Sequence, residues 1–284
     1  MPQRVPMALL IPTTAFTTAE PHAGPAPVLV RVLESEAEYR SCVTLQRQIW
    51  GTTYDEIVPA SLLRAAQRVG ALVLGAFDGA GELVGFVFGL TGVQGGEVVH
   101  WSHMLGVLPR ARDHGIGTRL KESQRAELAR RGIGRMHWTF DPLQSRNAHL
   151  NINKLGARVI EYVEDMYGAS RSPLHAAGTD RAVVACATSP DPIPPRAVSD
   201  VAPDTPLLTP FPAPVEPPAR VLPRAVLIEI PSDLQEAVDT STAWRAATRR
   251  YFQWALQHGY TAVQVRRETK VGRVFYVMER AVSG

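Results

Sequence analysis

Apolar positions along the chain change period several times, and each change predicts an element. Over 36–50, Tyr39, Cys42, Val43, Gln46, Ile49 and Trp50 recur at three-and-four spacing, which predicts a helix with one packing stripe. Ser35 stands three residues before Glu38, a capping box that opens the helix, and Gly51 ends it. A strand at 28–32 precedes it, and "PASLLRAAQRVG" predicts a shorter second helix that stops at Gly70. "ALVLGAFD" and "LVGFVFGL" flank the turn "GAGE" as two strands of a hairpin, and "GEVVHWSHMLGVL" is a third strand. Then come a helix from about Thr118 to Arg131, the strand "RMHWTF", the helical segment "DPLQSRNAHLNINKLGA", and strands in "RVIEYVEDMYG" and "DRAVVACA". This order predicts an α/β (α+β) fold, a mixed and largely antiparallel sheet with helices on its faces.

The pattern then lapses. Twelve prolines lie from Pro190 to Pro223, too many for central strands, so 188–224 is expected to be a linker or a surface-wrapping arm. Beyond it "AVLIEI", a helix in "TAWRAATRRYFQWALQHGY", "TAVQVRRE" and "RVFYVME" predict a small β-α-β-β unit over 225–284. Residues 1–27 have no such pattern and are expected to be a loose tail. Among them "MALLIPTTAF" is short, broken by Pro12 and without a cleavage pattern, and no apolar run approaches the roughly 20 residues of a membrane helix.

Composition narrows the classes of function. With 30 basic against 27 acidic residues, the net charge of +3 is too balanced for a nucleic-acid surface. Any anion site must therefore be local. Positive charge is nearly all arginine, with lysine only at 121, 154 and 270, a bias that suits anion recognition but is explained more readily by a GC-rich coding sequence. Two cysteines, Cys42 and Cys186, build no disulfide framework, so a reducing, cytoplasmic location is expected. His100, His103 and His149 invite a metal reading, but no acid or cysteine cluster accompanies them and no metal is expected.

The tripeptide Gly-Ile-Gly occurs twice, at 115–117 and 132–134, with the helix between. The first follows a strand and opens the helix, where glycine allows close approach and unpaired amides suit a pyrophosphate. Arg110, Arg112 and Arg119 crowd it. The dinucleotide fingerprint fails at Leu120, and the Gly-Lys-Ser/Thr ending of the nucleoside-triphosphate loop is missing. The second tripeptide follows the helix and suits a left-handed C-cap at Gly132.

The spacing Arg112, two residues, Gly115, Ile116, Gly117, after "LGVLP" on a strand, resembles the acetyl-CoA-binding segment of the GNAT family of N-acyltransferases. The element order resembles that family over roughly 28–187. The resemblance implies central strands that splay apart, with backbone groups of Leu105 and Val107 pairing with pantetheine. It also implies a pyrophosphate held by Arg112, His114, Gly115, Ile116, Gly117 and Thr118. Acetyl-CoA or another acyl-CoA would be the co-substrate. "LQRQIWG", "SHMLGVLP", "WTFDPLQSRNAHLNINKLGA" and "TDR" further resemble a bacterial subgroup with a C-terminal extension, some of whose members N-succinylate or N-acylate amino acids.

An amine acceptor must lose a proton before it attacks a thioester. Strand period places Trp101, His103, Leu105 and Val107 on one face, where His103 is the titratable member and the candidate base. A hydrogen-bonding core histidine is the competing account. The family's helix carries a tyrosine that would protonate the thiolate, but Ile152 stands at that position, leaving Ser145, Asn147, His149, Asn151, Tyr167 or water as the proton source. Asn147 and Asn151 are candidate CoA contacts, while Ser145 also reads as an ordinary helix cap. Loops at 50–56, 162–171 and 180–181 are expected to frame the acceptor, with Arg171 or Arg181 available for a carboxylate.

The expected activity is transfer of an acetyl or succinyl group to a small amine, such as an amino acid. A noncatalytic CoA-binding module is the alternative. No nucleic-acid or membrane partner is expected, and the C-terminal unit could cover the sheet, extend it or form a homodimer interface.

Overall fold

The computed structural model describes residues 28–52, 54–168, 178–189, 191, 201–234, 236–268 and 271–280. The expected tail at 1–27 and Arg171 lie outside them. The chain begins with β1 (Leu29–Val32), α1 (Glu36–Trp50), α2 (Ala60–Arg68), β2 (Leu72–Phe77), β3 (Leu83–Gln94) and β4 (Glu97–Val107). There follow α3 (Ile116–Arg130), β5 (Arg135–Phe140), α4 (Ser145–His149) running into a π-helical turn (Leu150–Lys154), β6 (Arg158–Val163) and β7 (Arg181–Ala187). These strands form one sheet in the order β1-β2-β3-β4-β5-β7-β6. Only the β4–β5 pair is parallel, because α3 carries the chain back across the sheet between them.

Every residue of β2 is buried, as expected for a strand with helices on both faces. The capping box of α1 forms as predicted: the Glu38 amide donates to Ser35 Oγ at 3.2 Å and the Ser35 amide to Glu38 Oε2 at 3.1 Å. Further along α1, the buried Gln46 carboxamide donates to Val58 O and accepts from Val58 N–H, at 3.1 and 2.8 Å. That pairing pins the loop between α1 and α2.

Two local expectations need correction. The helix between the Gly-Ile-Gly turns starts at Ile116, not near Thr118, because Gly115 in the left-handed region (φ 73°) is itself the cap residue. Ser145 is not the cap of α4. Gln144 holds that place, and Ser145 Oγ donates instead to Ser232 O at 2.7 Å.

The proline-rich arm contributes a two-residue edge strand, β8 (Leu207–Leu208). It pairs with β9 (Ala225–Ile230), which joins β11 (Arg273–Arg280) and β10 (Tyr260–Glu268) in a second sheet of order β10-β11-β9-β8. Helix α5 (Ser241–Gln257) lies between the two sheets. Its Phe252 packs on Tyr162 of β6 at 5.6 Å between centroids and edge-on to Tyr276 of β11 at 4.9 Å. Tyr276 Oη then donates to Pro142 O at 2.8 Å, and Asn153 of the π-helical turn accepts from Val265 N and donates to Val265 O. The C-terminal unit is thus docked on the β5–β7–β6 end of the first sheet. No helix among the described residues is long and apolar enough to cross a membrane.

Candidate functional site

β4 and β5 pair only at His100 with Met136 and Trp101 with His137. Past that point the strands diverge, so from Ser102 to Val107 the β4 backbone has β3 on one side and, among the described residues, no strand on the other. Such an edge offers amide and carbonyl groups to an extended ligand. Leu105 and Val107 lie in this stretch, where the family resemblance expects pantetheine.

The predicted sharing of one face by Trp101, His103, Leu105 and Val107 is wrong, because β4 contains a bulge. Phe88 lies opposite Met104 and Gly89 opposite Ser102, which leaves His103 as the inserted residue. A bulge reverses the alternation beyond it. Ser102 Oγ bonds Gln124 and Lys121 of α3, and Leu105 lies 3.8 Å from where a Cβ on Gly117 would stand, so both face α3. His103 points the other way, its ring edge-on to Phe88 at 6.1 Å.

At the first Gly-Ile-Gly, Asp113 and Gly115 both adopt positive φ, 65° and 73°, and turn the chain sharply into α3. The first intrahelical donor is the Arg119 amide, to Gly115 O at 3.0 Å, so the amides of Ile116, Gly117 and Thr118 lack helical acceptors. A Cβ on Gly115 would meet nothing within 4 Å, so the outer side of the turn is open. Ile116 is buried in the core, Thr118 is half-buried, and the exposed His114 bonds through Nδ1 to Arg112 O at 2.6 Å. Arg112 donates from Nε to Val107 O at 3.2 Å, tying the turn to the end of β4. The other expected arginines are occupied elsewhere: Arg110 pairs with Glu82 and Arg119 donates to Val28 O. Open amides, the positive helix end and a strand edge in one stretch fit the pyrophosphate and pantetheine of an acyl-CoA.

Beneath the splay lies a polar chain that residue spacing does not reveal. Thr91 Oγ1 contacts His100 Nδ1 at 3.1 Å, His100 Nε2 contacts Gln124 Nε2 at 3.1 Å, and Gln124 Oε1 accepts from Ser102 Oγ at 2.8 Å. Lys121 Nζ donates to Ser102 Oγ at 2.7 Å and sits 4.0 Å over the Trp138 ring. Burial lowers the Lys121 pKa to about 7, and burial followed by the Lys121 charge lowers His100 to about 4. Trp138 Nε1 in turn donates to Asn151 Oδ1 at 2.7 Å. Asn151, expected as a CoA contact, is therefore buried and bonded to the core, whereas Asn147 is exposed on α4. Ile152 is fully buried.

On the opposite face of the sheet, His103 shares its surroundings with groups from three loops. The Glu56 carboxylate accepts from Tyr54 Oη at 2.9 Å, and Tyr54 stacks against Trp50 at 5.6 Å. Burial lowers the His103 pKa, with the Glu56 charge opposing it. Thr139 of β5 exchanges a hydrogen bond with Tyr167 Oη at 3.1 Å, and the Arg181 guanidinium lies 5.2 Å over the Tyr167 ring. Tyr54 also feels the charges of Tyr167 and Arg181. The anticipated loops therefore meet, but Glu56 and Thr139 were not singled out beforehand. Glu56 stood only as the last residue of a named loop, and Thr139 had no signal beyond its strand position. Among the described residues no group of three His, Cys, Asp or Glu could hold a metal ion.

In comparison with known protein families, residues 34–157 match the model of the Acetyltransferase (GNAT) family. No curated protein matches the chain. Similar solved structures include the ribosomal-protein-S18-alanine N-acetyltransferase of Escherichia coli, 16% identical, covering 57% of this chain and 95% of that one, TM-score 0.45. A GNAT-family acetyltransferase from Streptococcus pneumoniae is 17% identical over 57% of this chain and 99% of its own, TM-score 0.46. The protein yncA from Salmonella typhimurium, solved with its cofactor acetyl-CoA, is 17% identical over 62% and 100%, TM-score 0.46.

Proposed function

We propose, from the premise that residues 34–157 form a GNAT-family acetyltransferase domain, that the protein is an acyl-CoA-dependent N-acyltransferase. It transfers an acetyl or succinyl group directly to a small amine such as an amino acid. The observation that carries this reading is the unpaired β4 edge running into the left-handed Gly115 turn and the open amides of α3. The acyl-CoA, when bound, supplies an activated thioester carbonyl. The β4 backbone at Leu105 and Val107 orients its extended arm, and the amides of Ile116, Gly117 and Thr118 neutralise its phosphates, with Arg112 and His114 beside them. Asn147 on exposed α4 remains available from the other wall.

On the acceptor side, the His103 imidazole takes the proton that the ammonium must shed, and the Glu56 carboxylate favours the charged imidazolium that results. Tyr167, held by Thr139 beside the splay, takes the donor role that buried Ile152 cannot fill, giving its phenolic proton to the departing thiolate and regaining one, through solvent, from the nitrogen as it becomes the amide. Arg181 offers a guanidinium to an acceptor carboxylate from the same rim.

Isothermal titration with acetyl-CoA and succinyl-CoA, followed by thiol release over an amine panel, tests the reading. Binding by neither donor at millimolar concentration overturns it. Binding without thiol release supports the second reading, a noncatalytic CoA-binding module, which the buried Ile152 favours. If His103 is the base, His103→Ala lowers kcat roughly 100-fold while CoA affinity stays within about twofold. The wild-type rate should rise with pH through a limb below 6.5, since a base works in its neutral form and the His103 pKa is lowered from that value.

A further inference from the structure

Helix α5 points two arginines, one turn apart, into the first sheet. Arg245 holds Asp141 through two bonds of 2.8 and 2.9 Å, both side chains nearly dry. Arg249 holds Asp180 from Nε at 2.9 Å and from its second guanidinium nitrogen at 2.8 Å, and also reaches Glu164. The two aspartates lie at the same end of adjacent strands, because Phe140 of β5 pairs with Ala182 of β7. Asp141 follows the first strand and Asp180 precedes the second.

Asp180 is fully buried and does more than receive Arg249. Its carboxylate accepts from Tyr162 Oη at 2.9 Å and from the Asp165 amide at 3.1 Å, which closes the start of the β6–β7 connection onto the start of β7. Its own carbonyl accepts from the Arg181 guanidinium at 2.9 Å. That guanidinium lies over Tyr167, and Tyr167 is bonded to Thr139 on the His103 face. A continuous path of contacts therefore runs from α5 through Arg249, Asp180, Arg181 and Tyr167 to the acceptor side of the splay.

We infer that the C-terminal unit is part of the acceptor site, with Arg249 as a positioning residue that sets Arg181 and Tyr167 through Asp180. This rests on the acyltransferase reading above. The acyl-CoA side has no share in the path: among the described residues no hydrogen bond or ion pair joins the β4 edge or the Gly115 turn to the Arg249 side chain or the Asp180 carboxylate. Loss of Arg249 should therefore weaken the amine and spare the donor. A helix that merely stabilised the fold would loosen both or neither.

The test uses the full chain with acetyl-CoA and succinyl-CoA, CoA binding by titration, and thiol release over a panel of L-amino acids. In Arg249→Ala the KM for the preferred amine should rise about tenfold through Arg181 and kcat should fall through Tyr167, while the Kd for CoA stays within about twofold, and Arg249→Lys should fall between the variant and wild type. An unchanged amine KM in folded Arg249→Ala overturns the inference, as does a CoA Kd that rises in step with KM. If Arg249→Ala does not fold, Arg249→Lys decides on the same readouts, with an amine KM raised about threefold expected. A wild type that releases no thiol overturns the acyltransferase reading and this inference with it, whereas an active wild type with an insensitive KM overturns this inference alone.

Discussion

The two Gly-Ile-Gly turns at the ends of α3 are identical in sequence, and their first glycines are alike in backbone. Gly115 and Gly132 adopt φ of 73° and 74°, and a Cβ on either would meet nothing within 4 Å. They differ in what their polar groups do. At the second turn the Gly132 amide donates to Ala129 O and the Ile133 amide to Leu128 O, which satisfies the helix end and buries Ile133. At the first, the amides of the opening helical turn remain without helical acceptors beside an unpaired strand edge. A glycine turn has donors to offer a ligand only where the helix end leaves them over.

The sharpest way to break this comparison is to fill the turns. Gly117 has no positive φ and room for a Cβ, so Gly117→Val should leave the fold intact while weakening acyl-CoA roughly 30-fold by titration, about 2 kcal/mol. Gly134→Val, its counterpart in open space, should leave that affinity within about twofold, and equal effects at both would erase the distinction. A smaller effect comes from strain. Gly115→Val and Gly132→Val should each cost about 1–2 kcal/mol in urea unfolding, since both place a side chain in the left-handed region, yet only the first should also lower CoA affinity. Smallest of all, Gly117→Ala should stabilise α3 by at most about 1 kcal/mol through reduced chain entropy. A variant both more stable and weaker for CoA would separate the turn's binding role from its folding role most cleanly.

Much of this architecture was legible because its causes are local. The Ser35–Glu38 cap, the stripe of α1, the hairpin at 78–82 and the Gly132 stop each depend on residues within a few positions of one another. The β-α-β-β pattern after the prolines was readable for the same reason. The face of His103 was not. A single inserted residue at the β4 bulge separates it from Leu105 and Val107, and alternation alone carries no sign of where such an insertion falls. Arg110 and Arg119 stood at plausible spacing for a phosphate, but their partners, Glu82 and Val28, come from distant parts of the chain. Asn151 read as a ligand contact because a polar side chain near a proposed site invites that reading, while its bond to Trp138 depends on how α4 settles against β5.

By itself the sequence determined the element order and the glycine turn with Arg112 before it, since backbone conformation answers to near neighbours. Tertiary structure alone decided which side chains meet. It brought Lys121 under Trp138, and it joined Arg249 to Asp180 across 69 positions. It also gathered Glu56, His103 and Tyr167 on one face, where burial lowers the His103 pKa and the Glu56 charge opposes that shift. Charge pairing and burial act over distances in space, and no periodicity along the chain encodes those distances.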